Sequence, residues 1–336
     1  MKCFYHITNN TNPYENIALE QMLLEAIEPG QTLLYLWQNQ NTVVIGRNQN
    51  MHNECNLSNI FKEEGKIARR LSGGGAVYHD LGNQNFTFLA AKDTFDTKKH
   101  MKVIAHAVKS FGINAELSGR NDITVSIDGE EKKFSGNAFY NTQKASFHHG
   151  TLLLSVDMQK MAEFLTPNES KLESKGVKSV KSRVINLTEL NSDITPKNIQ
   201  NALISALQDV YMVKPEEFDV EALDKQRHKE LTNFFADHAF WAGSQREFDA
   251  EFGKRFSFGE LIFKISISNE DKMLIGDSLI YSDAMDTEWI KRLNTAIIGC
   301  ECSITGICDA IKKETEDKEI CKEICEYLET LEELDT

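Results

Sequence analysis

Arg69-Arg70-Leu71-Ser72-Gly73-Gly74-Gly75-Ala76-Val77-Tyr78-His79-Asp80 sets three consecutive glycines between two arginines and a short apolar pair. Glycine gives up more backbone entropy on folding than any other residue. A run of three therefore marks a backbone shape that side chains forbid, or the close approach of a ligand. Two guanidiniums beside it point to an anion. The familiar phosphate loops do not fit. The Gly-Lys pairs, Gly65-Lys66 and Gly253-Lys254, are followed by Ile67 and Arg255 rather than Ser or Thr, and no G-x-G-x-x-G stands here. After the glycines come Ala76-Val77-Tyr78, then Gly82-Asn83-Gln84-Asn85 and Phe86-Thr87-Phe88. That reads as strand, turn, strand, not strand, loop, helix. A phosphate held by this loop is held outside the Walker and dinucleotide folds.

The surrounding chain has 336 residues, a comfortable length for two domains. Its net charge of −14 argues against a nucleic-acid partner. It has no apolar run of about 18 residues, so no membrane partner is expected. Met1-Lys2-Cys3-Phe4-Tyr5-His6 lacks the apolar core of a secretory signal. Seven cysteines without a framework spacing then read as reduced thiols in a cytoplasm. Cys300-x-Cys302 and Cys308 have no nearby His or second pair, which disfavours a metal site. Cys321 and Cys325 instead share a helical stripe with Ile320, Ile324, Leu328 and Leu331.

Asn12-Pro13-Tyr14-Glu15 is a helix start, and Pro29-Gly30 is its end. Leu33 to Trp37 and Thr42 to Ile45 read as strands joined by the polar turn Gln38-Asn39-Gln40-Asn41. Ile123 to Ile127, Asp128-Gly129 and Lys132 to Ser135 read as a hairpin, and Leu152 to Val156 as a further strand. Helical patterns fill positions near 98–111, 157–165 and 196–212. Periodicity breaks from about Gly243 to Arg255. An alternating run, Leu261 to Ile267, and an apolar run, Met273 to Ile280, come next, and two helical patterns close the chain ahead of an acidic tail.

Three segments hold polar groups in odd places: Ser118-Gly119-Arg120-Asn121-Asp122, Lys132-Lys133-Phe134-Ser135-Gly136-Asn137-Ala138 and Phe147-His148-His149-Gly150-Thr151. A strand lysine beside a glycine either ends a strand in solvent or points into a pocket and holds an anion. His148 and His149 face opposite sides of a strand, so at most one reaches a common site. Lys171 to Leu187 is rich in basic residues within an acidic chain, and reads either as a solvated loop or as a flap over phosphate.

Taken together, eight segments resemble the lipoate–protein ligase A family in order and spacing. They are Asn12-Pro13-Tyr14-Glu15-Asn16, Val43 to Asn50, Arg69 to Asp80, Gly82-Asn83-x-Asn85, Gly119-Arg120-Asn121-Asp122, Ser135-Gly136-Asn137-Ala138, His148 to Leu152 and Lys175-Gly176-Val177-Lys178-Ser179-Val180. The likeness is close over about residues 10–190 and looser beyond. It implies an α/β (α+β) fold. A biotin/lipoate-ligase-like catalytic domain of mixed sheets packed with helices would occupy residues 1–246. A linker over 247–254 and a small C-terminal α/β accessory domain over 255–336 would complete the chain.

The resemblance also implies chemistry: ATP, with Mg²⁺, activates lipoate to lipoyl-AMP with release of pyrophosphate. The acyl group then passes to a lysine of an acceptor lipoyl domain, in E2 subunits of 2-oxoacid dehydrogenases or in the glycine cleavage H protein. By the family's pattern Lys133 is the catalytic residue and contacts both the acyl carboxyl and the α-phosphate. Arg70, Gly75, Ala76, Val77, Tyr78, Asn83, Asp122, Ala138, Lys175 and Lys178 match adenylate-binding positions, Asp122 through the metal. Ser72, Gly73, Gly74, Trp37, Val44, Val77 and His149 are the residues expected to hold lipoate. Two departures are Tyr140, where family members often carry a basic residue, and Phe134, where a smaller β-branched residue is common. A cysteine acyl-transferase of related fold is the nearest rival, but the first domain offers only Cys3 and Cys55, both outside the matched segments. A biotin ligase would carry a more basic Gly-Arg loop, and a non-catalytic binding protein would have no need of both Lys133 and Arg70.

Overall fold

The computed structural model describes residues 1–118, 122–166, 184–243, 246–268 and 274–331. The chain forms two units. The first comprises Met1–Ile45, His52–Arg70 and Ala76–Trp241; the second comprises Gly46–Met51, Leu71–Gly75 and Ala242–Thr336. Among the described residues no helix is long and apolar enough to cross a membrane.

The first unit contains β1 (Lys2–Ile7), β2 (Gln31–Trp37), β3 (Thr42–Ile45), β4 (Lys66–Arg69), β5 (Val77–His79), β6 (Asn83–Ala91), β7 (Glu116–Ser118), β8 (Asp122–Ile127), β9 (Glu130–Asn141), β10 (Ala145–Leu153) and β11 (Glu216–Glu217). Eight of these form one sheet in the order β11-β1-β2-β6-β10-β9-β8-β7, and β4-β3-β5 form a second. Parallel pairs (β1 with β2 and β11, β3 with β4) sit among antiparallel ones, so both sheets are mixed. The consecutive strands β2 and β3 part into different sheets. The turn between them is not a solvated hairpin loop. Asn39 is buried there, accepting from Asn16 Nδ2 at 3.0 Å.

The helix Pro13–Ala26 starts where its cap predicts, with Asn12 Oδ1 accepting from the Tyr14 N–H at 3.2 Å. Helices Thr97–Lys109, Met158–Phe164 and Pro196–Tyr211 fall on the expected patterns. The Asp128-Gly129 turn joins β8 to β9, both residues at positive φ (52° and 82°). β10 starts well before Leu152, so His148 and His149 lie mid-strand.

Directly paired residues share a face of a sheet, and so do alternate residues along a strand. On one face of the large sheet, Leu34, Leu36, Phe86, Phe88, Ile123, Val125, Phe134 and Leu152 join Val103, Ile104, Leu203 and Leu207 of two helices in a single core. The opposite face carries Tyr35, Trp37, Asn83, Asn85, Thr87, His149, Thr151, Ala138 and Gly136 by the same pairing.

The second unit holds β12 (Ala250–Phe256), β13 (Gly259–Ser268) and β14 (Leu274–Ser282) in an antiparallel sheet. The stretch 247–254, read as a linker, contains the first residues of β12, which pair with β13 from Ala250 onward. In β13, Leu261, Phe263 and Ile265 are buried at alternate positions, as their alternation predicts. Three helices close the unit rather than two: Thr287–Ile297, Ile304–Glu314 and Lys318–Leu328. Ile324, Cys325 and Leu328 enter the core of this unit, while Ile320, Cys321 and Leu331 pack at its margin.

Candidate active site

Lys133 reaches the polar face of the large sheet through a change of register. Asp122 pairs with Gly136 and Ile123 with Ser135, but Thr124 pairs with Lys133. Phe134 is the extra residue of a β-bulge. In a regular ladder Phe134 would share a face with Asp122, and Lys133 would lie on the other. The bulge sends Phe134, fully buried, into the core and leaves Lys133 beside Asp122 and Gly136. The Phe134 departure thus fills a bulge site, from which a large apolar side chain joins the core under the sheet.

Lys133 Nζ stands 2.7 Å from Asp122 Oδ1, and both side chains keep partial access to solvent, 28% and 15%. A Cβ on Gly136 would lie 2.9 Å from that Nζ, so the glycine leaves room for the ammonium. The backbone is tied as well: the Ile185 N–H donates to the Lys133 carbonyl at 2.9 Å, and Val184 bridges Lys133. The chain that carries Lys175 and Lys178 therefore re-enters the described structure at the lysine itself. Lys175 and Lys178 lie outside the described residues, as do Gly119, Arg120 and Asn121.

Across the same face runs a buried polar network. His149 Nδ1 and Glu20 Oε1 are 2.9 Å apart, and both side chains are buried. Thr87 Oγ1 donates to the same Glu20 oxygen at 2.6 Å and accepts from Trp37 Nε1 at 3.0 Å. The Tyr35 ring stacks on Trp37 at 5.9 Å. His79, at the end of β5, meets Trp37 edge-on at 6.2 Å. Two amides converge on His79 Nδ1, Asn39 Nδ2 at 3.2 Å and Asn85 Nδ2 at 3.4 Å, which leaves the ring proton on Nε2. That Nε2 is buried without a hydrogen-bond partner. Burial first, then the nearby Arg70 and His149, push the His79 pKa down to about 3, so the ring is neutral at ordinary pH. Asn83 lies at the edge of this group, its Nδ2 donating to Asn85 Oδ1 at 2.8 Å.

Arg70 is buried at the end of β4, with its N–H on the Ile45 carbonyl at 3.0 Å and Nη1 on the Val44 carbonyl at 3.1 Å. Burial lowers its pKa to about 10, against the raising fields of Glu20 and Glu54, and it stays cationic. Val77 pairs with Val44 in the small sheet, and Ala138 pairs with His149 in the large one. Tyr78 differs: its hydroxyl donates to Asn41 at 3.3 Å and its ring meets Phe164 edge-on at 5.3 Å, so the side chain is spent inside the fold. Tyr140 stands on the same β9 face, tilted against the Phe147 ring at 5.4 Å.

The expected set is divided by the fold. Trp37, Val44, Arg70, Ala76, Val77, Tyr78, Asn83, Asp122, Lys133, Ala138 and His149 belong to the first unit, whereas Ser72, Gly73, Gly74 and Gly75 belong to the second. Glu20, His79, Thr87, Asn39 and Asn85 were not among the expected site residues, although His79 and Asn85 stand in segments that carry the resemblance, and the five form the polar network of this face. Glu20 was given no role from the sequence. The signal that could have found it is its place on the apolar stripe, between Leu19 and Leu23, where a carboxylate needs a partner.

The two thiols of the first unit are poorly suited to nucleophilic catalysis. Cys3 and Cys55 are buried, and burial followed by Glu54 pushes the Cys55 pKa up to about 12. Among the described residues, no group of three or more His, Cys, Asp or Glu side chains could hold a metal ion.

Comparison with known proteins matches residues 12–208 to the lipoyl protein ligase A/B catalytic domain and residues 245–329 to the bacterial lipoate protein ligase C-terminus. A lipoate-protein ligase A of Psychrobacter cryohalolentis is 40% identical over 297 residues, 85% of each chain. Among solved structures, P. falciparum LipL1 in complex with lipoate superposes with a TM-score of 0.83 at 32% identity, covering 97% of this chain and 99% of that one. A lipoate-protein ligase A bound with ATP gives a TM-score of 0.60 at 22% identity, over 72% of this chain and 98% of that one, which is a likeness of fold.

Proposed function

The chain belongs to the lipoate–protein ligase A family, and from that premise we propose how its own residues join lipoate to protein in two ATP-dependent steps. In the first step a carboxylate oxygen of lipoate attacks the α-phosphorus of ATP. The bond from that phosphorus to the bridging oxygen breaks, leaving lipoyl-AMP and pyrophosphate. In the second step the neutral amine of an acceptor lysine attacks the acyl carbon. The bond to AMP breaks, the amine loses a proton, and an amide remains.

The observation that carries this reading is the Lys133–Asp122 pair, 2.7 Å apart on a partly accessible strand face. The first step drives one anion onto another. An ammonium held beside the phosphorus neutralises the charge that builds there, and it acts most strongly where water is excluded. Asp122 keeps Lys133 aimed until phosphate arrives. Arg70 supplies a second, fixed cation whose direction is set by the Val44 carbonyl. No protein nucleophile is needed, because the substrate carboxylate attacks.

Asp122 is the residue that would hold Mg²⁺. A single carboxylate with some solvent access fits an ion that arrives with its nucleotide, since Mg²⁺ commonly takes one or two carboxylates and fills its shell with phosphate and water. Bound there, it would withdraw charge from the phosphates. Trp37, Val44, Val77 and His149 would line the lipoyl chain, and Ser72 to Tyr78 would lie along the acyl-adenylate, with Asn83, Ala138, Lys175 and Lys178 completing the nucleotide side. Residues 1–246 would carry the catalysis and residues 255–336 would serve as the accessory part. The acceptors would be lipoyl domains of E2 subunits and of H protein. Seven free cysteines support a reducing, cytoplasmic setting.

Pyrophosphate release with ATP and lipoate, followed by the mass of an apo lipoyl domain, tests the proposal. Lipoate-dependent release and then a mass gain on the acceptor are expected. Acyl transfer without ATP, or release with biotin but not lipoate, overturns it.

A further inference from the structure

Gly46-Arg47-Asn48-Gln49 carries part of the family likeness, yet the chemistry of ligation leaves it without a task. Residues Gly46–Met51 and Leu71–Gly75 both belong to the second unit, where they meet each other. The short turn is closed twice. The Gln49 N–H donates to the Gly46 carbonyl at 3.2 Å, and the Gly46 N–H donates to Gln49 Oε1 at 2.8 Å. Its outer edges are then used in opposite directions. The Arg47 N–H donates to the Ser72 carbonyl at 2.9 Å, and the Asn48 carbonyl accepts from the Ser282 N–H at 2.8 Å.

The fit against the glycine loop leaves no slack. A Cβ on Gly46 would lie 2.1 Å from the Gly74 oxygen and 3.2 Å from its carbonyl carbon, both backbone atoms. Gly46 is absent from the residues with positive φ, so clearance and not conformation demands the glycine. Gly74 is the converse, held at φ +89°. Gly73 is pressed from another side, since a Cβ there would lie 2.2 Å from the Ala284 oxygen. For Gly73 and Gly74 the bare backbone is thus already needed by the protein around them.

The geometry points to the turn Gly46–Gln49 as the template that fixes the shape of the Ser72–Gly75 loop, with Gly46 as a positioning residue for the ligation reaction. The inference rests on the reading that this loop lies against the acyl-adenylate. Gly46 touches no reacting atom. It sets where the Gly74 carbonyl stands, and through it the neighbouring amides that a carboxyl or phosphate would meet.

The test is lipoate-dependent ATP–pyrophosphate exchange on the full chain, for wild type, Gly46→Ala and Gln49→Ala. The Ala methyl must push Gly74 aside, and a displacement of about 1 Å at a positioning element can cost on the order of 100-fold. We expect Gly46→Ala to lower kcat/KM for lipoate by about that factor, with a raised KM and a melting temperature of the ligand-free protein within a few degrees of wild type. Gln49→Ala removes the 2.8 Å bond to the Gly46 N–H without adding bulk and moves the same parameter the same way, about tenfold. It decides the matter if Gly46→Ala does not fold. Wild-type kinetics in Gln49→Ala, or in a folded Gly46→Ala, overturns the inference. A wild-type protein with no lipoate-dependent exchange overturns the functional reading instead.

Discussion

Lys133 and Asp122 meet at 2.7 Å because one strand carries a residue more than its partner, the buried Phe134. The pair joins two neighbouring strands at the point where the ladder slips, so its geometry is set by backbone pairing on both sides. Lys133→Ala is expected to lower lipoate-dependent pyrophosphate exchange by at least about 100-fold, the scale of a lost transition-state donor. Because both side chains are partly solvated, the melting temperature should move by only a few degrees. Exchange within a few-fold of wild type would refute the role of Lys133.

Asp122→Asn separates aiming from metal binding. It keeps size and hydrogen bonding but loses the charge that faces Lys133. Exchange activity should fall, and raising the Mg²⁺ concentration should recover part of it. A fall that no Mg²⁺ concentration relieves would leave Asp122 as the partner of Lys133 alone.

Thr87 is the joint between Trp37 and Glu20, accepting from one and donating to the other. Thr87→Val keeps the shape, strands the buried Trp37 N–H and leaves Glu20 Oε1 with His149 alone of the two partners described, at a cost of about 1–3 kcal/mol. Thr87→Ser should recover most of it. Urea unfolding of the two variants checks this, and equal loss in both would show that the methyl rather than the hydroxyl matters.

Acid should destabilise the first unit through its buried histidines. His100 stacks on Phe88 at 4.6 Å with both ring nitrogens buried and unpartnered, and burial lowers its pKa to about 3. His79 is lowered to a similar value, and His148, 5.6 Å from the His100 ring, is lowered too. These rings stay neutral in the folded chain while the unfolded chain takes up protons below its ordinary value near 6.5. Stability is therefore fully present above that pH and falls as pH drops toward 3, by about 1.4 kcal/mol per pH unit each for His79 and His100, with His148 acting in the same direction. His100→Phe should flatten the loss. An unchanged slope between pH 7 and pH 5 would contradict it.

Gly150 offers a purely steric check. A Cβ there would lie 2.6 Å from the Gly136 oxygen and 2.6 Å from the Phe86 ring. Gly150→Ala should cost about 1–3 kcal/mol by overpacking and should also lower activity, since it spreads β9 from β10 beneath the site. Thermal unfolding together with the exchange assay reads both effects.

How much of the fold was legible in the sequence depends on how local each signal is. Asn12-Pro13 marked a helix start, and Asp128-Gly129 marked a hairpin, because a few neighbouring residues decide caps and turns. Thr42 to Ile45 appears at its expected bounds. The start of β10 was hidden because its residues are buried on both faces and do not alternate. The bulge at Phe134 left no trace in the sequence, since it exists only in the pairing of two strands. Likewise Glu20 and His79 acquire their meaning from residues far along the chain: Thr87 and His149 for one, Asn39 and Asn85 for the other. The lysine and arginine of the candidate site drew notice as chemistry from the sequence alone. Their floor did not, because it is assembled from strands that only the fold makes adjacent.

The second unit draws on three separate stretches of chain, two of them made early in synthesis. Translation runs from the N-terminus, and early parts fold first. Asn48 and Gly73 must therefore wait until Ser282 and Ala284 have left the ribosome before those two contacts exist. A nascent chain stalled before residue 282 would hold Lys133 and Asp122 on a finished sheet, but its glycine loop would have only the Gly46–Gln49 turn against it and not yet Ala284. The surroundings of the loop are thus complete only near the end of the protein's own manufacture.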